Sequence, residues 1–434
     1  MSVRPVMFML MCLLPLASGC GGPDSAQGTG SGGTTDDDGD GDGDGDSGET
    51  SQPDPLPPVE GGLGPAPFDD GELDPPSHGG TITFESIGAA GWYPSRRDPA
   101  LGPCDAFEAD GCCLAHHDVA ADALTPWSED LILTLRGPLL AKQLAVYQPA
   151  GGGDDNTWDL VSAWDSRTPS SPQGIAFRGN NTESAGFDGA VGTECLVDVS
   201  TDRVFACGEG SSPFCPESPD PRYDGWSGSK LIVLLATMPH TSDGAVGTPC
   251  SDGTDGNWYD APWLGLSLGE LVRAGAFSGC HCYSKNPDEW WLGDGCGQFN
   301  VFEVVNDNNE YRNLDIFSTN FFGYAGYVGE GPCGSICDIS TLAADVDLID
   351  KDTLAEAAAG ALANPDGGPG AAFIRPSAGY RYFLIHLDVA TRTVQLVLVH
   401  PESIPSGIDA LLPNLPGSVS QATIDALLDL RLPE

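Results

Sequence analysis

Hydrophobic positions along the chain recur mostly at the spacing of short β-strands. Runs of this kind occupy Thr81 to Phe84, Leu131 to Leu135, Leu144 to Tyr147, Leu231 to Thr237, Phe299 to Val305, Tyr382 to Asp388 and Val394 to Val399, with Gly, Pro, Asn and Asp between them. Many short strands so punctuated predict an all-β fold, a sandwich or barrel. Two helices stand outside the pattern. Asp352 can cap a run through Ala363 that Asn364-Pro365 stops, and Ser420 can cap an amphipathic turn ending near Leu430. Both read as packing appendages. The stretch Pro149-Ala-Gly-Gly-Gly-Asp-Asp-Asn predicts a flexible junction, dividing a small N-terminal β unit, 78–150, from a larger β-sandwich domain, 151–434.

Ahead of these units the chain changes character. Arg4, the largely apolar Val6 to Leu16 and the small residues Ala17, Ser18 and Gly19 predict a secretory signal over 1–19. Ala17-Ser-Gly-Cys20 resembles the lipobox of bacterial lipoproteins, although Leu16 stands one place earlier than the leucine that pattern prefers. The resemblance implies lipidation of Cys20. No other apolar run is long enough to span a bilayer, so the lipid is the expected membrane attachment. Residues 20–77 are mainly Gly, Asp, Pro, Ser and Thr without Lys or Arg, which predicts a disordered, self-repelling tether. Asp38, Asp40, Asp42, Gly43 and Glu49 fit a calcium-loop pattern literally, but Gly45 holds its hydrophobic position and no amphipathic helix flanks it. That segment reads as solvated linker.

A net charge of −45 argues against nucleic acid or anionic lipid surfaces as partners and suits a neutral ligand such as a polysaccharide. Of the 14 cysteines, Cys12 leaves with the signal and Cys20 takes the lipid; the even remainder in an exported chain predicts disulfides. Cys280-His281-Cys282 with Cys296 could be drawn as a zinc site, yet it lacks the paired spacing of a zinc ribbon. His116 and His117, in the cysteine-rich N-terminal region, read as structural. No metal or other cofactor is expected.

The candidate chemistry concentrates in residues 295 to 305, GCGQFNVFEVV. On a regular strand Phe299, Val301 and nominally Glu303 share one side, and Gln298, Asn300 and Phe302 the other. A β-bulge would carry Glu303 round to the side of Gln298 and Asn300. Trp258, Tyr259, Trp263, Tyr283, Trp290 and Trp291 cluster before this strand, and flat aromatic rings serve either as sugar platforms or as core. Adjacent Trp290 and Trp291 on an extended segment point to opposite sides, so one of them belongs to a surface or cleft. Trp263, one of that pair and Tyr283 are candidate ligand contacts. Arg273 is another, able to hydrogen-bond hydroxyls or to pair with one of many acids.

An ordered series of short motifs carries a wider resemblance. It runs through Thr125-Pro-Trp-Ser-Glu-Asp-Leu, Leu135-Arg-Gly-Pro-Leu139, Leu144-Ala-Val-Tyr147, Trp158-Asp-Leu-Val-Ser162, Lys230 to Pro239 and Asp260-Ala-Pro-Trp263. Arg273, Cys280-His-Cys282, Gly295-Cys-Gly297, Phe302-Glu-Val304 and Phe373-Ile-Arg-Pro376 continue it. Over nearly all of 80 to 400 the chain resembles the fungal cell-wall family of circularly permuted 1,3-β-glucanases. That family in turn resembles glycoside hydrolase family 16, whose catalytic strand, Glu-x-Asp-x-x-Glu, lies on a jelly-roll. The resemblance implies Glu303 as acid/base, Gln298 at the nucleophile position and Asn300 at the assisting-acid position. Two acids are therefore replaced by amides.

Retaining hydrolysis needs two carboxyl groups about 5 to 5.5 Å apart, and a neutral amide cannot form the usual glycosyl ester. The resemblance thus implies a surface-anchored protein directed at β-1,3-glucan, with hydrolysis weakened or lost. Two alternatives stay open: an active endo-1,3-β-glucanase using Glu303 with an unidentified second carboxylate, and a structural or adhesion lipoprotein binding another ligand. Asp288, Glu289 and Asp294 lie near enough in sequence to supply that carboxylate. Gly21 after Cys20, where aspartate would signal inner-membrane retention, implies an outer-membrane or cell-surface location.

Overall fold

The alternation read from the sequence becomes two antiparallel sheets with an apolar layer between them. The structure, a computed structural model, describes residues 55–68, 72, 80–84, 91–97, 114–119, 128–151, 156–179, 182–183, 186–205, 222–241, 246–250, 260, 262–269, 272, 298–304, 316–322, 337–338 and 373–430. Within them the strands begin with β1 (Gly80–Phe84), β2 (Gly91–Arg97), β3 (Leu114–Val119), β4 (Leu131–Arg136), β5 (Leu139–Pro149) and β6 (Thr157–Asp165). The next are β7 (Ala176–Gly179), β8 (Thr182–Glu183), β9 (Ala190–Val191), β10 (Leu196–Ser200), β11 (Lys230–Thr237) and β12 (Trp263–Leu268). The motif strand is β13 (Gln298–Val304), followed by β14 (Ile316–Phe322), β15 (Cys337–Asp338) and β16 (Phe373–Ile374). Last come β17 (Arg381–Asp388), β18 (Thr393–Val399), β19 (Ser418–Ser420) and a single helix among the described residues, α1 (Gln421–Leu428).

One sheet has the order β1-β18-β17-β11-β5-β6-β19, with β9 beside β5. The other runs β15-β14-β13-β12-β4-β10-β7-β8, with β16 beside β14. β2 and β3, which carries His116 and His117, form a separate pair. The shared core interleaves Leu131, Leu133, Leu135, Leu264 and Leu266 of one sheet with Ile232, Leu234, Phe383, Ile385 and Leu396 of the other. Phe302 meets Phe383 edge-on across the layer, ring centres 5.0 Å apart. This is the all-β sandwich that the periodicity predicts.

The eight-stranded sheet is apolar on both faces, which explains why its central strand, KLIVLLAT, is buried at every position. Its outer face, with Leu231, Val233, Leu235, Tyr382 and Leu384, is covered by Ile408, Leu411, Leu412, Leu415, Ile424 and Leu427 of the C-terminal segment. There α1 starts as expected, the Ser420 hydroxyl accepting from the Thr423 N–H. The helix expected over 352 to 363 lies outside the described residues.

Two expectations about chain organisation meet a different structure. Residues 55–68, which composition alone assigned to the tether, lie packed on the same outer face. Val59, Leu63 and Phe68 join its apolar cluster, while the Leu63 and Gly64 N–H groups donate to Leu415 and Asn414 carbonyls at 2.9 Å. Lys142 fastens the end, its Nζ donating to the Pro67 carbonyl at 3.0 Å and lying over the Phe68 and Tyr380 rings. A few apolar side chains suffice because prolines reduce the freedom the segment loses on docking. The junction near residue 150 is the loop of the β5–β6 hairpin, and β4 and β5 are interior strands of the two sheets. A Gly-rich hairpin loop and a linker have the same composition; the pairing of β1 with β18 likewise binds chain from both sides of that point into one sheet.

Cys195 and Cys250, 55 residues apart, form a disulfide, in line with the disulfides that the cysteine count predicts. Among the described residues no helix is long and apolar enough to cross a membrane.

Beneath the C-terminal cover, His386 is buried beside Trp158, and neither ring nitrogen has a hydrogen-bond partner among the described residues. Burial disfavours the imidazolium and lowers the pKa from 6.5 to about 4, against the opposing charges of Asp388 and Asp425. A folded-state pKa below the unfolded one means the unfolded chain takes up the proton first as pH falls. The neutral-histidine contribution is therefore complete above pH 6.5 and lost between there and about pH 4, amounting to roughly 3 kcal/mol. Denaturant titrations of His386→Leu should show stability at pH 7 at least equal to the parent and a shallower decline over that window; an unchanged decline would assign the acid sensitivity elsewhere.

Candidate functional site

Residues of β13 are placed by an irregularity in its pairing. Against β12, Phe302 pairs with Leu264 but Asn300 pairs with Gly265, so one extra residue, Val301, is accommodated on the β13 side. The ladder to β14 skips at the same place, between Asn300 and Glu303. Val301 and Phe302 are both fully buried in the shared core. After the bulge, Glu303 stands in register with Trp263, Asn300 with Gly265 and Gln298 with Ser267. Opposed residues of an antiparallel ladder belong to one face. The three motif positions therefore share the face turned away from the core, although their sequence spacing is two and then three.

On β12, Leu264, Leu266 and Leu268 point into the core, leaving Trp263, Gly265 and Ser267 on the other face. Trp263 lies flat along the strand: a Cβ added at Gly265 would fall inside its indole. The ring is nearly enclosed, 5% exposed, so it serves first as a packed floor beside the Glu303 position. Ser267 is fully buried and its hydroxyl has no hydrogen-bond partner among the described residues, directly opposite Gln298 in the register. Further across the face, Arg136 of β4 forms an ion pair with Glu194 at 3.4 Å. Thr134 donates to Asp198 of β10 at 2.8 Å.

Asp260 sits three residues before Trp263 and holds three segments together. Its Oδ1 accepts from Arg375 Nη2 at 2.8 Å, and its Oδ2 lies 2.9 Å from His240 Nδ1. Arg375, fully enclosed, also donates from Nε to the Met238 carbonyl and from Nη2 to the Pro239 carbonyl, each at 2.7 Å. Burial opposes ionisation of Asp260, but the hydrogen bonds and charges of His240 and Arg375 outweigh it and hold the carboxyl down at about 2. An acid so firmly ionised and occupied is a poor proton donor or acceptor. Its physical role is to fix the entry of β12, and with it Trp263, against the 238–240 and 375–376 segments.

The structure thus brings Gln298, Asn300, Glu303 and Trp263 to one face by register. Arg273, Tyr283, Trp290, Trp291 and Cys20 lie outside the described residues, as do Trp258, Tyr259, Asp288, Glu289 and Asp294. Sequence reasoning passed over Asp198, Thr134 and the Asp260–Arg375 pair. The run Leu196-Val-Asp-Val-Ser200 did carry a signal, since an acid between two core valines must face outward. For Asp260 and Arg375 no local signal existed, as 115 residues separate them.

Two known proteins share partial sequence similarity with the chain. The chain is 26% identical over 230 residues to a probable circularly permuted 1,3-β-glucanase of Candida albicans, covering 45% of this chain and 54% of that protein. It is 26% identical over 137 residues to a second protein of the same description from Schizosaccharomyces pombe, covering 29% of this chain and 23% of the other. The chain therefore spans about half the length of one relative and about a quarter of the other. No family profile matches the chain, and no solved structure does.

Gly265 is the position where this packing is most exposed to test. Gly265→Ala should displace the Trp263 ring, shift the intrinsic tryptophan emission and cost roughly 1–3 kcal/mol in denaturant unfolding. Unchanged emission and stability would mean the indole does not rest on that glycine.

Proposed function

We propose that this chain is a β-1,3-glucan-directed protein, held at a cell surface through a lipid on Cys20, whose ligand lies along the polar face of the nine-stranded sheet. The reading is carried by one observation: the bulge in β13 gives Gln298, Asn300 and Glu303 a common face, in a chain similar to two proteins described as circularly permuted 1,3-β-glucanases. A displacement at the anomeric carbon needs an ionised carboxylate as nucleophile, and Gln298 offers a neutral amide. Asn300 likewise carries no titratable proton, so Glu303 is left as a single acid in the motif. Binding is retained in this account and hydrolysis is weakened or lost.

The test compares the full chain with the double variant Gln298→Glu, Asn300→Asp on laminarin. The parent should be retained on the immobilised glucan while releasing little reducing sugar, and the double variant should gain release by at least about a hundredfold, a modest share of what enzymes achieve. Failure of the parent to bind would remove the glucan assignment. Strong release by the parent that disappears in Glu303→Gln would instead establish an active glucanase with a second carboxylate of its own.

A further inference from the structure

The polar face extends well beyond the motif strand. Register links Asn300 of β13 to Gly265 of β12, Gly265 to Thr134 of β4, Thr134 to Asp198 of β10, and Asp198 to Arg178 of β7. These five positions form one row across five strands. The neighbouring residues Leu133, Leu135, Val197, Val199, Phe177 and Leu264 turn the other way, into the core. Asp198 is therefore an acid on the same face as the motif, half-buried and held in place without being consumed. One of its oxygens accepts from Thr134, and no hydrogen bond to the other is present among the described residues.

We propose that Asp198, with Thr134 on one side and Arg178 on the other, is a distal binding subsite for the hydroxyl groups of a neutral sugar chain whose other end lies at the motif strand. The inference rests on the glucan reading above. Distance decides between this role and a catalytic one. With neighbouring strands about 4.8 Å apart, Asp198 is about 14 Å from the Asn300 position and about 16 Å from Glu303. An inverting pair of carboxyl groups stands only about 6.5 to 9.5 Å apart, so Asp198 is too remote to serve as the second carboxylate. A sugar chain of several units, in contrast, bridges such a span, and a fixed carboxyl with an open oxygen suits its hydroxyl donors. Burial raises the Asp198 pKa to about 6, against the opposing effects of the Thr134 bond and the Arg178 charge. In mildly acid solution the group can accordingly donate as well as accept.

Isothermal titration of the full chain with the β-1,3-linked glucose dimer and hexamer tests the subsite. Asp198→Ala should weaken the hexamer by about tenfold or more, the loss of a charge-assisted hydrogen bond, and leave dimer affinity as in the parent. Asp198→Asn, which preserves the acceptor for Thr134, controls for folding and should fall between parent and Ala, with a thermal midpoint close to the parent's. If the parent binds the hexamer and both variants match it, or if dimer and hexamer weaken equally, the subsite is refuted while the glucan reading stands. If the parent binds neither sugar, the glucan reading itself fails.

Discussion

Burying two consecutive residues on one side of a strand is incompatible with regular pleating. Val301 and Phe302 are both enclosed in the core, and the extra residue that this requires displaces everything after it by one position. The site depends on that displacement. Without it Glu303 would alternate into the sandwich, where an unpaired carboxyl is costly, and the motif would be divided between two faces. With it, Gln298, Asn300 and Glu303 align with Ser267, Gly265 and Trp263. The core contact of Phe302 with Phe383 is thus tied directly to the placement of Glu303.

A second constraint acts at the end of the same row. The enclosed Arg375 guanidinium must keep its partners, because a buried charge left alone costs several kcal/mol. Asp260 and the carbonyls of Met238 and Pro239 supply them. The outcome is a fixed junction among segments remote in sequence, from which β12 departs with Trp263 at its first position. Polar groups here are structural, whereas Asp198, partly exposed on the face it shares with the motif, is the one with capacity left for a ligand.

The sandwich was legible because apolar residues recur with a period of two and because β11, β17 and β18 are each dominated by apolar residues. The C-terminal helix was legible from Ser420. Less visible were β6, whose Trp158-Asp-Leu-Val-Ser162 stood out as a motif without being read as a strand, and β12, whose Gly265 and Ser267 interrupt its apolar run. Neither the docking of residues 55–68 nor the hairpin at residue 150 could be read from composition, which does not distinguish a packed Pro/Gly segment from a solvated one. At the site, the alternation exposed the conflict at Glu303, but its resolution needed the partner strands. The Asp260–Arg375 pair and the row from Asn300 to Arg178 are products of tertiary register alone.

A crystal structure of the protein soaked with a β-1,3-linked glucose hexamer addresses the central claim most directly. The account predicts sugar density along the outer face of the nine-stranded sheet, crossing the Glu303 and Asn300 positions and reaching Asp198. Sugar bound at any other surface, with that face unoccupied, would contradict it.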